Sequence, residues 1–292
     1  MPVLEAVHTF AGIANENEFY SHHYLAEVFR GDIKVRLDAW EAAEAEHPGE
    51  DTWRAPHKRL QAWAQRWFSL RGQVQRGASD AERWQLFTQL QAGLLQALGY
   101  PAPGKLPQPH EFVPGMPVPA WRLQAPRLVV IPAYQPGAEQ EDLLDHKLVS
   151  LLYGADGVPR DLQGEPWADL LTDAVFGAET PPRYVILAGL DEWLLLDRYK
   201  WPNNRALRFD WADILDRKDA DTLKACAALL HKDCLAPGEG NSLLESLDEN
   251  AHKHAFGVSE DLKYALREAI ELLGNEAARQ LDEQASGSKK SV

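Results

Sequence analysis

Cysteine is nearly missing from this chain: Cys226 and Cys234 are the only two in 292 residues. Two thiols eight positions apart form neither a disulfide framework nor a CxxC zinc half-site, so a reducing compartment is expected. Long apolar runs are missing as well. No stretch approaches the roughly 20 residues that span a bilayer, and the opening MPVLEAVHTFAG lacks the basic-then-apolar order of a leader. A soluble, cytoplasmic protein with no membrane contact is expected. Positive charge is in deficit, with 30 Lys and Arg against 44 Asp and Glu, a net charge of −14. A self-sufficient DNA binder usually carries a basic balance, because neutralising phosphate supplies much of its affinity. Contact with DNA would therefore need a local basic patch or a partner that brings the charge.

What is present is globular: 45% hydrophobic residues and ten Trp, in a chain long enough for one large core or two smaller ones. Residues 16–98 read as helical. A stripe of Glu18, Phe19, Tyr20, Tyr24, Leu25, Val28 and Phe29 ends at Gly31, and Asp32 is placed to cap a second helix carrying Ile33, Leu37 and Trp40. Leu60, Trp63, Trp67, Leu70 and Val74 follow the spacing of one buried helical face. A fourth helix, capped at Ser79-Asp80, carries Trp84, Phe87, Leu90, Leu94 and Leu98. Seven prolines between Pro101 and Pro119 forbid helix and mark an extended connection. Beyond it, Leu128–Ile131 reads as a buried strand, a helical segment falls near 167–176, and Tyr184–Leu187 and Trp193–Asp197 read as a hairpin turning at Gly189–Glu192. From about 210 the chain is helical again. Ser259-Glu260-Asp261 reads as a helix start before the stripe Leu262, Leu266, Ile270 and Leu273, and the polar tail from Gln284 reads as frayed. The expected fold is α/β in three parts: a helical part over 1–100, a strand-rich core over 101–209, and a helical connector over 210–292.

Residues 52–79 hold Arg54, Lys58, Arg59, Arg66, Arg71 and Arg76 and no acid, a window of +6 in an acidic chain. Trp53, Trp63, Trp67 and Phe68 lie among them, which invites nucleic-acid stacking. Trp63 and Trp67 fall on the apolar stripe, however, and belong to the core. The cations flank that stripe, and their face is read either as a DNA-phosphate surface or as an ordinary solvated one. His22-His23 and His252-Lys253-His254 lack the i, i+4 pairing of helical metal sites. Cys226, His231 and Cys234 supply only three ligands, so no metal is expected. Ala236–Ser242 lacks the lysine and spacing of a phosphate loop and reads as a connection. No GxSxG is present.

Three stretches carry a resemblance. They are Glu16-Asn17-Glu18-Phe19-Tyr20-Ser21-His22-His23-Tyr24-Leu25, then Asp197-Arg198-Tyr199-Lys200-Trp201, and the long polar run Leu247 to Ser259 continuing through Leu262–Glu268. In this order the chain resembles the N-terminal region of Eco57I-like, type IIG restriction-modification adenine methyltransferases, including relatives in phage-defence islands of the DISARM sort. The resemblance implies a PD-(D/E)xK nuclease-like fold, a helical connector and a following methyltransferase domain. It also directs attention to the strand at 128–134, where such a nuclease carries the acid and lysine that hold magnesium and activate water. The corresponding positions read Pro132-Ala133-Tyr134, and Glu18 alone matches the family's helix glutamate. A degenerate, inactive nuclease-like domain is expected.

Neither a glycine-rich S-adenosylmethionine turn nor an Asn-Pro-Pro-aromatic loop is present. The chain then holds no cofactor itself, and S-adenosylmethionine belongs to a partner methyltransferase domain or subunit. The implied role is accessory: docking on that methyltransferase and helping to position duplex DNA. Two other readings stand beside it. One is an active Mg²⁺-dependent DNase in which Asp142, Asp145 or Asp169 replaces the lost acids, and the other a scaffold with no nucleic-acid role.

Overall fold

The computed structural model describes residues 10–124, 126–137 and 141–288. The first nine residues, part of the opening read above, and the last four of the polar tail lie outside them. Residues up to Leu247 form one compact unit, and Asp248–Val292 a second.

The first unit opens with strand β1 (Ile13–Glu16), followed by a π-helical turn (Tyr24–Val28) that leads directly into helix α1 (Phe29–Glu46). The expected break at Gly31-Asp32 does not occur. A mid-helix glycine costs about 1 kcal/mol, and burial of Phe29, Ile33 and Leu37 offsets that. Asp32 does not cap a helix but accepts a hydrogen bond from the Tyr24 hydroxyl at 2.7 Å. Helix α2 (Pro56–Arg76) has Pro56 in its first turn, where a missing N–H costs nothing. Helix α3 (Asp80–Ala97) is capped by Ser79, whose side chain accepts from the Glu82 N–H, as the sequence indicates. The two helices pack so closely that a β-carbon at Gly93 would lie 2.0 Å from the Trp63 indole.

The proline-rich segment is more ordered than a connection. It forms a hairpin of β2 (Gln108–Val113) and β3 (Met116–Gln124) around Pro114-Gly115. Proline is tolerated there because β2 is an edge strand with an outer side that needs no donors. Next come β4 (Leu128–Pro132), a short helix α4 (Trp167–Leu170) that runs on as a second π-helical segment (Leu171–Phe176), and the hairpin β5 (Tyr184–Ala188) and β6 (Glu192–Asp197). Strand β7 (Ala206–Asp210) precedes helices α5 (Trp211–Arg217), α6 (Ala220–Leu230) and α7 (Lys232–Leu235). The strands form one mixed sheet in the order β1-β7-β6-β5-β4-β3-β2. Among the described residues only β4 and β5 run parallel; every residue of both is buried, as a strand covered on two faces requires.

Because β1 pairs with β7, the N-terminal segment completes the same sheet as residues 101–209. Across the sheet, Trp193 of β6 donates to the buried Gln91 of α3 at 2.8 Å, and Gln91 donates to the Gly189 carbonyl at 2.7 Å. This ties the β5–β6 turn to the helical layer.

The last helix, α8, is Leu243–Ser288. Its start is Ser242, which exchanges hydrogen bonds with Glu245 in a capping box. Ser259–Asp261 is therefore helix interior and not a start, and helix covers the tail through Ser288. Within the second unit, Leu262, Leu266, Ile270 and Leu273 are all exposed, flanked by the pairs Arg267–Glu271 and Glu276–Arg279.

Candidate functional site

At the carboxyl ends of the parallel strands, β4 runs on to Tyr134 while β5 turns back into β6. This divergence point, where open α/β sheets commonly bind ligands, opens a cavity of about 560 Å³. Its wall includes Arg71, Tyr134, Asp142, His146, Asp191 and Arg208.

Arg208 is the hub. Its Nε meets Glu16 Oε1 at 2.6 Å, Nη1 meets Glu192 Oε1 at 2.7 Å, and Nη2 meets Asp142 Oδ2 at 3.0 Å. Strand register explains two of these contacts, since Arg208 opposes Leu194 and Ala14, which puts Glu192 and Glu16 two positions away on the same face. Burial opposes the charge on Arg208, but the hydrogen bonds it donates to Glu192 and Glu16 outweigh it and hold the guanidinium protonated above its ordinary range. Arg71 of α2 makes a bidentate pair with Asp191, both contacts at 2.6 Å. That pair raises the arginine's affinity for its proton further, the hydrogen bond outweighing a smaller cost of burial.

The three positions where the resemblance seeks a nuclease centre are not gathered here. Tyr134 lines the cavity and packs on Phe87, 4.8 Å between ring centres. Pro132 ends β4, buried beside Ala188. Glu18 is exposed in a left-handed turn after β1 and does not line the cavity. Of the acids considered as replacements, Asp142 faces the cavity but is bound to Arg208, while Asp145 and Asp169 do not line it. Among the described residues, no three of His, Cys, Asp and Glu come together in a way that could hold a metal ion.

The basic window is only half free. Trp67 is fully buried and Trp63 half-buried, consistent with the stripe. Lys58, however, is paired with Glu44 at 2.7 Å. Arg59 is half-buried, reaches the Gln96 carbonyl at 3.4 Å, and holds its proton less tightly than usual because of burial. With Arg71 locked to Asp191, the expectation of six solvent-facing cations is corrected to three: Arg54, Arg66 and Arg76. The helix-to-helix packing that takes up Lys58 and Arg59 has no signature in the spacing of α2 alone. The exposed face of α2 also carries Gln61, Gln65, Ser69 and Gln73.

His231, Cys226 and Cys234 are core residues. The His231 ring lies 5.0 Å from Trp40, and its Nδ1 accepts from the Asp233 N–H at 3.2 Å. Burial, reinforced by Arg59, lowers its pKa to about 3. Burial likewise pushes the Cys234 thiol up to about 12 and Cys226 further, which leaves both unreactive.

Fold and site together define an α/β protein with a seven-stranded mixed sheet and an ion-pair-lined cavity at one sheet end. Comparison with protein-family models, curated proteins and solved structures finds no match. No helix among the described residues is long and apolar enough to cross a membrane.

Proposed function

We propose that the chain is a catalytically silent, nuclease-like accessory region of a DNA adenine-N6 methylation system, of the restriction-modification or phage-defence kind. The observation that carries this reading is the state of the cavity. Of the five acids in the cavity wall, Asp142 and Glu192 are neutralised by Arg208 and Asp191 by Arg71, Asp210 caps helix α5 through the Asp213 N–H, and that leaves Glu141; Tyr134 takes the place of the catalytic lysine. The same observation disfavours an active Mg²⁺-dependent DNase. In this reading S-adenosylmethionine is held by the partner methyltransferase. The exposed Leu262, Leu266, Ile270 and Leu273 stripe supports docking on that partner and is equally compatible with a scaffold that has no nucleic-acid role.

DNA positioning falls to Arg54, Arg66 and Arg76, the cations of α2 and its entry that remain exposed. The test is DNA binding by the chain together with the methyltransferase encoded in the same locus. Replacing all three arginines by alanine should flatten the slope of log affinity against log salt by about 2–3 units, since each released counterion contributes about 0.9. Sequence preference should stay unchanged, because phosphate contacts position a duplex without reading it. A triple variant with the wild-type slope would remove α2 from the reading, and a purified chain that cleaves plasmid with Mg²⁺ would overturn the silent-nuclease part.

A further inference from the structure

The sheet end opposite the cavity gathers the backbone irregularities of the fold. Among the described residues, four non-glycine positions have left-handed φ, and three of them, Asn17, Glu18 and Asn204, lie here. Asn17 Nδ2 donates to the Asn204 carbonyl at 2.6 Å, which joins the turn after β1 to the turn before β7. Lys200 Nζ donates to the Phe19 carbonyl at 2.6 Å and sits 4.0 Å and 4.2 Å from the ring centres of Phe19 and Tyr20. Both π-helical segments adjoin the same place. Tyr24 of the first packs on Tyr20, and Thr172 of the second accepts from Trp201 Nε1 at 3.0 Å. Left-handed non-glycine residues are each held at an energetic cost, and π-bulges recur at functional sites. Here they converge on Asp197–Trp201 and Glu16–Tyr24, stretches some 180 positions apart in sequence.

What this scaffold presents is Tyr199, 60% exposed. Its N–H is anchored to Asp197 Oδ1 at 2.8 Å. The Arg183 guanidinium lies 4.3 Å and that of Arg198 4.6 Å from its ring centre. Arg183 is itself fixed by the buried Asp197 at 2.8 Å. Arg198 donates to the Pro181 carbonyl and to the Tyr199 hydroxyl, and Arg205, half-exposed on the following turn, carries a further guanidinium.

The geometry points to a nucleic-acid strand as the ligand of this sheet end, with a base against Tyr199 and phosphates at Arg198 and Arg205. A rigidly held, exposed aromatic ring beside guanidinium groups matches the alternation of planar base and phosphate along such a strand. An acidic peptide would offer the charge but no planar partner for the ring. The inference rests on the reading that this chain contacts nucleic acid, at a surface separate from α2.

The test uses the full chain, a fluorescein-labelled oligothymidylate and a labelled duplex of the same length, read by anisotropy across a salt series. Wild type should bind, Tyr199→Ala should lose about tenfold in affinity, and Tyr199→Phe should keep most of it, because stacking needs the ring and not the hydroxyl. Arg205→Ala should flatten the salt slope by about 0.7–0.9. Bromouracil photocrosslinking should map to Tyr199, a readout that a merely structural role would not give. A larger Tyr199→Ala effect on the oligothymidylate than on the duplex assigns the site to single strands, and an equal effect assigns it to either form. If Tyr199→Ala and Arg205→Ala bind as wild type while the Arg54/Arg66/Arg76 variant weakens, this site is wrong and the broader reading stands. If wild type binds neither probe, this site is wrong, and the broader reading is decided by the binding test with the methyltransferase. Unchanged melting of Tyr199→Ala confirms that the exposed substitution leaves the fold intact, and a large loss would assign Tyr199 to structure instead.

Discussion

Replacing Arg208 by methionine removes one guanidinium from among three carboxylates while keeping much of the side-chain volume. The arginine side chain is 16% exposed, and those of Glu192, Glu16 and Asp142 are 25%, 28% and 47% exposed. Breaking a fully buried ion pair by removing one partner costs about 3–5 kcal/mol, mainly because the other charge is left uncompensated. Glu192 and Glu16 keep some access to water, and Asp142 keeps more, so screening reduces that figure to about 2–4 kcal/mol. For a unit of this size, each kcal/mol shifts Tm by about 2–4 °C, which gives a fall of about 4–16 °C at pH 7. Arg208→Lys should lie between the methionine variant and wild type, since it restores the charge but not the planar fork. The assay is thermal unfolding of both variants and wild type at pH 7. A methionine variant within about 1 °C of wild type would show that Arg208 does not hold this sheet end together.

Two further outcomes follow from buried polar groups. Gln91→Leu strands the Gly189 carbonyl and the Trp193 indole N–H, at about 1–3 kcal/mol for each unmet group; a urea midpoint equal to that of wild type would refute the link. His231 is held neutral with a pKa of about 3, below the ordinary value of about 6.5. Its contribution is therefore complete above pH 6.5 and is lost as pH falls towards 3, with a slope of up to about 1.4 kcal/mol per pH unit. His231→Asn, which keeps an acceptor for the Asp233 N–H, should flatten stability against pH in that window, and parallel profiles would sink the assignment.

Much of the fold was legible because its signals are local. Ser79 announces α3, the 3-4 spacing of Leu60 to Val74 announces α2, and two apolar runs flanking Gly189–Glu192 announce the β5–β6 hairpin. Expectations went astray where a local signal met a stronger distant one. Gly31 and Ser259 look like boundaries, yet helices α1 and α8 pass through them, α8 having already been capped at Ser242. Strand β1 is four residues long, too short for a visible alternation, and it exists because β7 offers it a partner. The cavity was least legible. Arg208 reaches Glu16 across 192 positions and Arg71 reaches Asp191 across 120, and no spacing rule couples residues so far apart. The run of six cations was visible, but not that Glu44, Gln96 and Asp191 would engage three of them.

That internal pairing bears on how an acidic chain could approach DNA at all. Arg71, Arg127, Arg183 and Arg208 are each turned inward onto Asp191, Glu245, Asp197 and the cavity carboxylates, so they stabilise the sheet and add little to the outer field. The exposed excess is negative, and a distant polyanion is repelled until it comes within about 8–10 Å, where screening by salt confines each surface charge to its own neighbourhood. Attraction can then come only from places where several cations stand without acids between them, such as the acid-free face of α2, or where an aromatic ring adds an attraction that is not electrostatic, as at Tyr199. Neither patch overcomes the whole-molecule charge at long range. On the reading proposed above, fast, steered association falls to a partner of opposite charge, and the two patches act after contact by fixing orientation, which is the division of labour proposed for an accessory domain.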